Sequence, residues 1–214
     1  MRNDNRDYNY TDIPSEKRGE YEKVTDLLPS NAKVVDLACG NGVLMQMMVA
    51  EKNCLVEGIE ISPSGVTICQ ERGLKVQQGR IDTKMPFHDD QFDAAVCNVT
   101  IQMVMYPEVL VSEMKRIAKK QIISFPNFAY WRNRLDMVLM GRMPKRMLFG
   151  YKWYNTGHIH QLSISDFKDL LEDVGGLKIT NVRYVPVGMK IIDSLGNIFP
   201  GLFRKTVIIE TERT

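Results

Sequence analysis

The chain predicts a doubly wound α/β fold on a mostly parallel sheet, closed by an antiparallel strand pair at the C-terminal end. Three observations predict it. Short, near-continuous apolar runs recur between residues 33 and 125, amphipathic stretches alternate with them, and the first run leads through a Gly-x-Gly turn into a helix start. Strands covered on both faces by crossover helices need no polar face, so their apolar runs are continuous.

The elements follow in order. Residues 1–12 (MRNDNRDYNYTD) have no aliphatic residue after Met1 and are expected to be a mobile tail. Pro14 can open a helix reaching Leu28, and Pro29-Ser30-Asn31 ends it. Residues 33–38 read as a strand and 42–52 as a helix with Leu44, Met47 and Met48 inward; 55–61 is the next strand. Ser62-Pro63 caps and starts a helix ending near Gly73. Strands at 75–78, 92–98 and 121–125 enclose a helix at 107–119. A helix at 127–140 places Phe128, Trp131, Leu135 and Val138 at three- and four-residue steps. Residues 141–162 form an aromatic and basic loop without clear period. Ser163 and Asp166 make a reciprocal cap for a helix ending at Gly175-Gly176. Strands at 177–185 and 204–211 lack a crossover helix between them and should pair antiparallel. No linker divides the chain, so 13–214 is expected to be a single domain with 141–162 inserted in it.

Composition bounds the function. Of 214 residues, 44% are hydrophobic and 25% charged, the balance of a globular protein with ample chain for a core. The net charge of +2 argues against a nucleic-acid binder driven by its overall field. No apolar run approaches the roughly 18 residues that span a bilayer, and the N-terminus lacks the apolar region of a secretory signal. Cys39, Cys54, Cys69 and Cys97 form no CxxC pair, so a reducing cytoplasm is the expected setting.

The chemistry concentrates at Val34-Val35-Asp36-Leu37-Ala38-Cys39-Gly40-Asn41-Gly42. A strand delivers a carboxylate, the glycines let a ligand lie against bare backbone, and the helix start points N–H groups at it. Glu60 ends the second strand, where a carboxylate can accept both hydroxyls of a ribose. A nicotinamide dinucleotide is disfavoured, because Met45 stands where its third glycine is needed. S-adenosylmethionine fits better: it has no pyrophosphate to cradle, and its ammonium suits an acidic strand end. Asp36 would hold the methionine end, Ala38, Cys39, Gly40 and Gly42 would admit it, and Glu60 with Ile61 would take the ribose side. Ile81-Asp82 would sit near the adenine, and Asn98 ends the fourth strand beside the site or simply satisfies backbone groups there.

The glycine loop resembles that of class I S-adenosylmethionine-dependent methyltransferases. Phe92-Asp93 through Val99-Thr100-Ile101-Gln102, then Ser124-Phe-Pro-Asn-Phe-Ala-Tyr-Trp-Arg-Asn-Arg-Leu135, Gly141-Arg-Met-Pro144, Tyr151-Lys-Trp-Tyr-Asn-Thr156 and Ile159-His160 are similar to the MetW family. The resemblance spans roughly residues 32–169 and implies the seven-stranded, Rossmann-like methyltransferase fold. It further implies a role in methionine biosynthesis, with homoserine O-acyltransferase as partner; methyl transfer in that family is assigned mainly from the fold. Two departures stand out. Ala38 replaces a usual glycine, a change expected to be harmless, and Arg80 replaces a small polar or acidic residue, a cation that could re-route adenine binding.

Methyl transfer from a sulfonium needs alignment more than a protein nucleophile, giving S-adenosylhomocysteine as product. Asn98-Val99-Thr100-Ile101 is not the Asn/Asp-Pro-Pro-aromatic tetrad of many amino methyltransferases. His160, Tyr151 and Tyr154 are the candidates for an acceptor-pocket wall or base, with packing an equal alternative. His158 and His160 would share a face in a strand, but no third metal ligand accompanies them. Residues 130–152 hold six cations against Asp136, a local balance of +5. That patch suits an anion, an acidic partner or, against the near-neutral overall charge, RNA; otherwise it is a solvated face with Arg packed on aromatics. Three functions stay open: a methyltransferase of a small molecule, a non-catalytic S-adenosylmethionine-responsive activator of the acyltransferase, or an RNA-binding methyltransferase with strongly salt-dependent RNA affinity.

Overall fold

The computed structural model describes residues 8–11, 16–145, 147–148 and 151–214. Pro14, most of the expected tail and Arg146 lie outside the described residues. The chain runs α1 (Tyr21–Asp26), β1 (Lys33–Leu37), α2 (Val43–Lys52), β2 (Leu55–Glu60), α3 (Pro63–Glu71), β3 (Lys75–Gln78), β4 (Phe92–Asn98), a 3-10 turn (Ile101–Met103), α4 (Pro107–Ile117) and β5 (Ala118–Pro126). It continues with α5 (Trp131–Met140), α6 (Ile164–Val174), β6 (Leu177–Tyr184), α7 (Lys190–Ile198), α8 (Pro200–Phe203) and β7 (Thr206–Arg213).

The seven strands form one sheet ordered β3-β2-β1-β4-β5-β7-β6. Pairs among β1 to β5 are parallel, and β7 runs antiparallel to both β5 and β6. This is the expected doubly wound sheet with its antiparallel C-terminal pair. Strand order reverses between β1 and β4, which opens a crevice beyond their carboxyl ends.

Alternation along each strand builds two cores. Val34, Ala94, Val96, Ile122 and Ile208 face Val24 of α1, Leu44 and Met48 of α2, and Val66 of α3. Their neighbours Val35, Ala95, Cys97, Ile123, Val207 and Ile209 face Leu110 and Met114 of α4 and Phe167 and Leu171 of α6. The Ser163–Asp166 capping box of α6 forms as the sequence predicts.

Four regions differ from expectation. α1 begins at Tyr21 rather than near Pro14, residues 16–20 lying outside any helix, with Gly19, a weak helix former, just before it. β5 begins at Ala118 rather than residue 121, because Lys119 and Lys120 are matched by Asp93 on one side and by Glu210 and Glu212 of β7 on the other. Residues 186–205 hold two helices, despite Pro186, Gly188, Gly196, Pro200 and Gly201. Gly196 fits mid-helix because the Arg204 guanidinium lies where a Cβ would stand, 2.5 Å from Nε. α5 starts at Trp131, not residue 127: Asn127 instead donates from Nδ2 to the carbonyls of Gly201 and Arg204, each at 2.9 Å. Phe128 and Trp131 pack with Tyr130, Met147 and Leu148, but Leu135 and Val138 are exposed rather than inward.

Candidate functional site

The crevice at the strand-order reversal is a cavity of about 790 Å³, within the size range of small-molecule sites. β1 delivers Asp36 to its floor. The register Asp36↔Gly58 on one side and Asp36↔Val96 on the other removes the carboxylate from water, leaving it 2% exposed. Oδ2 of Asp36 has no hydrogen-bond partner among the described residues. Burial, reinforced by the charge of Glu60, pushes Asp36 up to about 7.

Beyond Asp36 the chain turns through Ala38 (φ 61°), Gly40 (φ 59°) and Gly42 (φ 78°) into α2. The N–H groups of Ala38 and Cys39 both donate to the Ile59 carbonyl, which ties the loop to the end of β2. A Cβ on Gly42 would stand 2.5 Å from Leu74 Cδ1 and 2.8 Å from Cys69 Sγ. The hydrogen bond with Cys69, followed by burial, holds Cys39 well above the ordinary thiol range.

Glu60 ends β2 with its carboxylate held by two backbone donors, Gly40 N–H to Oε2 and Ser62 N–H to Oε1, each 2.8 Å. Burial raises its pKa against the pull of those N–H groups. Ser62 also caps α3 by accepting from Gly65 N–H. Gly65 is a second tight junction, this one against backbone: its Cβ would meet the Gly40 carbonyl at 2.8 Å and Glu60 Cγ at 2.9 Å. Sequence reading passed over Gly65; a glycine in the first turn of a helix that follows a site carboxylate was the available signal.

The structure brings together most of the predicted residues. Asp36, Ala38, Cys39, Gly40, Glu60, Ile61, Ile81 and Asn98 line the cavity. Gly42 shapes the loop from behind. Asp82 does not line it: its fully buried carboxylate is ion-paired with Arg80 at 2.9 Å and accepts the Met105 N–H. Arg80 takes the wall position instead, so the departure noted in sequence determines what that wall presents. Asn98 is engaged at both ends, its Oδ1 accepting from Ser124 Oγ and its Nδ2 donating to Glu20.

Of the three residues expected to wall an acceptor pocket, Tyr151 lines the cavity, whereas Tyr154 and His160 lie outside it. Residues 151–160 form no strand, so the two histidines diverge. The His160 N–H is bound to the Gln102 carbonyl, and His158 is the ring that reaches the cavity, edge-on to Phe128. Residues 8–10 were missed as well. The Tyr8 carbonyl accepts from Ser62 Oγ, Tyr10 N–H donates to Ser64 Oγ, and the Tyr10 ring lies over Gly40. Arg18 and Tyr21 complete that wall, Arg18 paired to Glu20 and Tyr21 raised in pKa by burial. No local pattern marks these positions, because they reach the site only through the fold.

The donor set suits S-adenosylmethionine. A buried carboxylate oxygen lacking a partner matches an ammonium, a backbone-oriented Glu60 retains lone pairs for a ribose diol, and the crowded glycines keep the floor low.

Comparison with known proteins gives the family and the fold. Residues 18–204 match the family model described as Methionine biosynthesis protein MetW. The bifunctional methionine biosynthesis protein MetXA/MetW of Rhodopirellula baltica is 34% identical over 162 residues, covering 70% of this chain and 26% of that one. The chain thus spans about a quarter of that relative's length. Among solved structures, an S-adenosylmethionine-dependent methyltransferase of Mesorhizobium loti superposes with TM-score 0.65 at 14% identity, covering 94% of this chain and 100% of that one. The magnesium protoporphyrin IX methyltransferase of Synechocystis, solved with S-adenosylhomocysteine, gives 0.62 at 17% identity, covering 92% and 84%. The sheet is that of the class I S-adenosylmethionine methyltransferases. By the match over most of its length, the chain belongs to the MetW family of methionine biosynthesis proteins.

Proposed function

We propose that this protein binds S-adenosylmethionine in the crevice between β1 and β4 and transfers its methyl group to a small-molecule acceptor. One observation carries the reading: the buried Asp36 carboxylate with an unpartnered oxygen beside the glycine loop. Left alone it is costly, and an ammonium removes the cost. Asp36 receives the ammonium, Gly40 and Cys39 admit the methionine arm, Glu60 takes the ribose hydroxyls, and Ile61, Ile81 and Arg80 flank the adenine. Bound there, the cofactor supplies an electrophilic methyl on a sulfonium. The chain's own contribution is orientation and water exclusion, with His158 and Tyr151 on the acceptor side to hold the acceptor or take its proton.

A second reading is favoured by the relative in which MetXA and MetW share one polypeptide. In it the protein acts on a homoserine O-acyltransferase as a partner, and the same cavity makes that action responsive to S-adenosylmethionine. Calorimetric titration with S-adenosylhomocysteine tests the shared premise. We expect micromolar binding in the wild type and at least about a tenfold loss in Glu60→Ala. Equal affinity in the two proteins overturns the assigned site.

A further inference from the structure

Beyond the cavity, the feature without an assigned role is α5 and the segment that follows it. The last turn of α5, Met137-Val-Leu-Met140, is apolar on every side, a pattern normally buried. Yet Val138 is 80% exposed, Leu139 73% and Met140 68%, with Leu135 and Met137 also exposed. The surface continues through Met143 to Trp153, itself 73% exposed, and to Tyr154. Between 142–145 and Trp153 lies a groove of about 340 Å³, lined by Arg142, Met143, Pro144, Lys145, Leu148 and Trp153. Met, Trp, Tyr and Arg are the types enriched where proteins meet, and an apolar groove rimmed by cations is a receptor for an anchoring side chain.

Two further facts fix what sits there. Of the strings by which the chain resembles MetW, Gly141-Arg-Met-Pro144 and Trp153-Tyr154 fall on this face, whereas Asn98, Val99, Thr100 and Tyr151 line the cavity. Part of that resemblance thus lies on an outer face. The charge also discriminates between occupants. Arg142 and Lys145 line the groove, and Arg132, Arg134 and Lys152 on the flanking segments add to them against Asp136. A two-fold contact with a second copy would set these cations against themselves, whereas a different protein with an acidic rim would complement them.

We propose that α5, residues 141–145 and the Trp153–Tyr154 pair form the docking surface for the homoserine O-acyltransferase; this rests on the partner reading above. The acyltransferase presents an apolar anchor to the Met143–Trp153 groove and carboxylates to its rim.

The test uses the full chain and the acyltransferase of the same organism, by biolayer interferometry and sedimentation. Val138→Asp with Leu139→Asp alters only exposed positions, as does Trp153→Ala. We expect the aspartate pair to weaken the complex by about thirtyfold or more and Trp153→Ala by about tenfold. S-adenosylhomocysteine affinity, measured on the same samples, should stay unchanged and so report an intact fold. Variants that bind within about threefold of wild type overturn the surface while leaving the partner in place. No complex with wild type at about 50 µM overturns the partner reading itself, and this proposal with it. A wild-type dimer dissociated by the same substitutions, or single-stranded RNA binding lost with them, overturns the choice of occupant.

Discussion

Ala38 shows how much one position can hide. In sequence its replacement of a glycine looks harmless, but its φ of 61° lies in the left-handed region, where a Cβ crowds the following carbonyl. The conformation is imposed, since the N–H groups of Ala38 and Cys39 must both reach Ile59 O. Val99, at φ 51° beside the same cavity, is a β-branched residue under the same constraint, with its N–H bound to Ser124. Strain at two cavity-lining positions is the pattern of a site kept in shape by its surroundings. Ala38→Gly should therefore stabilise the protein, by about 1 kcal/mol once the added freedom of the unfolded glycine is set against the relieved strain. Urea unfolding with an unchanged m-value measures it; a loss of stability would mean the loop is not held in the left-handed region.

At the scale of elements, Asn127 does what no helical or strand pattern announces. It leaves β5, is fully buried, and its side chain bonds the carbonyls of Gly201 and Arg204 while its own backbone N–H bonds Lys205. It thereby staples α8 and the start of β7 to the end of β5. Asn127→Ala strips partners from two buried carbonyls and should cost about 2–3 kcal/mol in denaturant unfolding, whereas an exposed change such as Leu139→Ala should cost under about 0.5 kcal/mol. Equal costs would mean the staple contributes nothing. The same residue explains what was legible and what was not. β3 and β4 were read with their observed limits because Gly73 and Gly79 bracket the first and turn residues bound the apolar run of the second. The start of β5 was hidden by Lys119 and Lys120, which are tolerable in a strand only because carboxylates distant in sequence meet them. α7 was hidden by Gly196, whose missing Cβ makes room for Arg204. Asp36, Gly40 and Glu60 were legible because local turn chemistry fixes them, whereas Tyr10, Arg18 and His158 arrive through tertiary packing. Where the sequence pattern suggested inward Leu135 and Val138, the period was right and the covering layer was absent.

The whole molecule links its stability to the occupancy of the cavity through Asp36. In the unfolded chain this carboxyl ionises near 3.9; in the folded protein it does so at about 7. Between about pH 4 and 7 the folded state keeps a proton that the unfolded state has lost, so stability falls as pH rises through that window. Integrated, the shift amounts to about 4 kcal/mol, an upper bound for a site that water can enter. Glu60 is shifted in the same direction, while Asp93 and Glu113, lowered by Lys119 and Arg116, act in the opposite one. The informative quantity is therefore the difference between wild type and Asp36→Asn. That variant should be the more stable of the two at pH 8, and the gap should close toward pH 4. An ammonium placed beside Asp36 favours its charged form, so a ligand that carries one adds stability the asparagine cannot capture. With S-adenosylhomocysteine at about one hundred times its Kd, wild type should gain about 2.7 kcal/mol, a rise in Tm of about 5–10 °C for a chain of this size. Asp36→Asn should start higher at pH 8 and respond little. Affinity should also weaken about tenfold from pH 8 to pH 6, as binding comes to require loss of the Asp36 proton, with proton release visible in buffers of different ionisation enthalpy. Wild-type and variant curves that run parallel in pH and in ligand would separate Asp36 from the cofactor. Diverging curves would make the destabilised ligand-free state the physical origin of the protein's affinity.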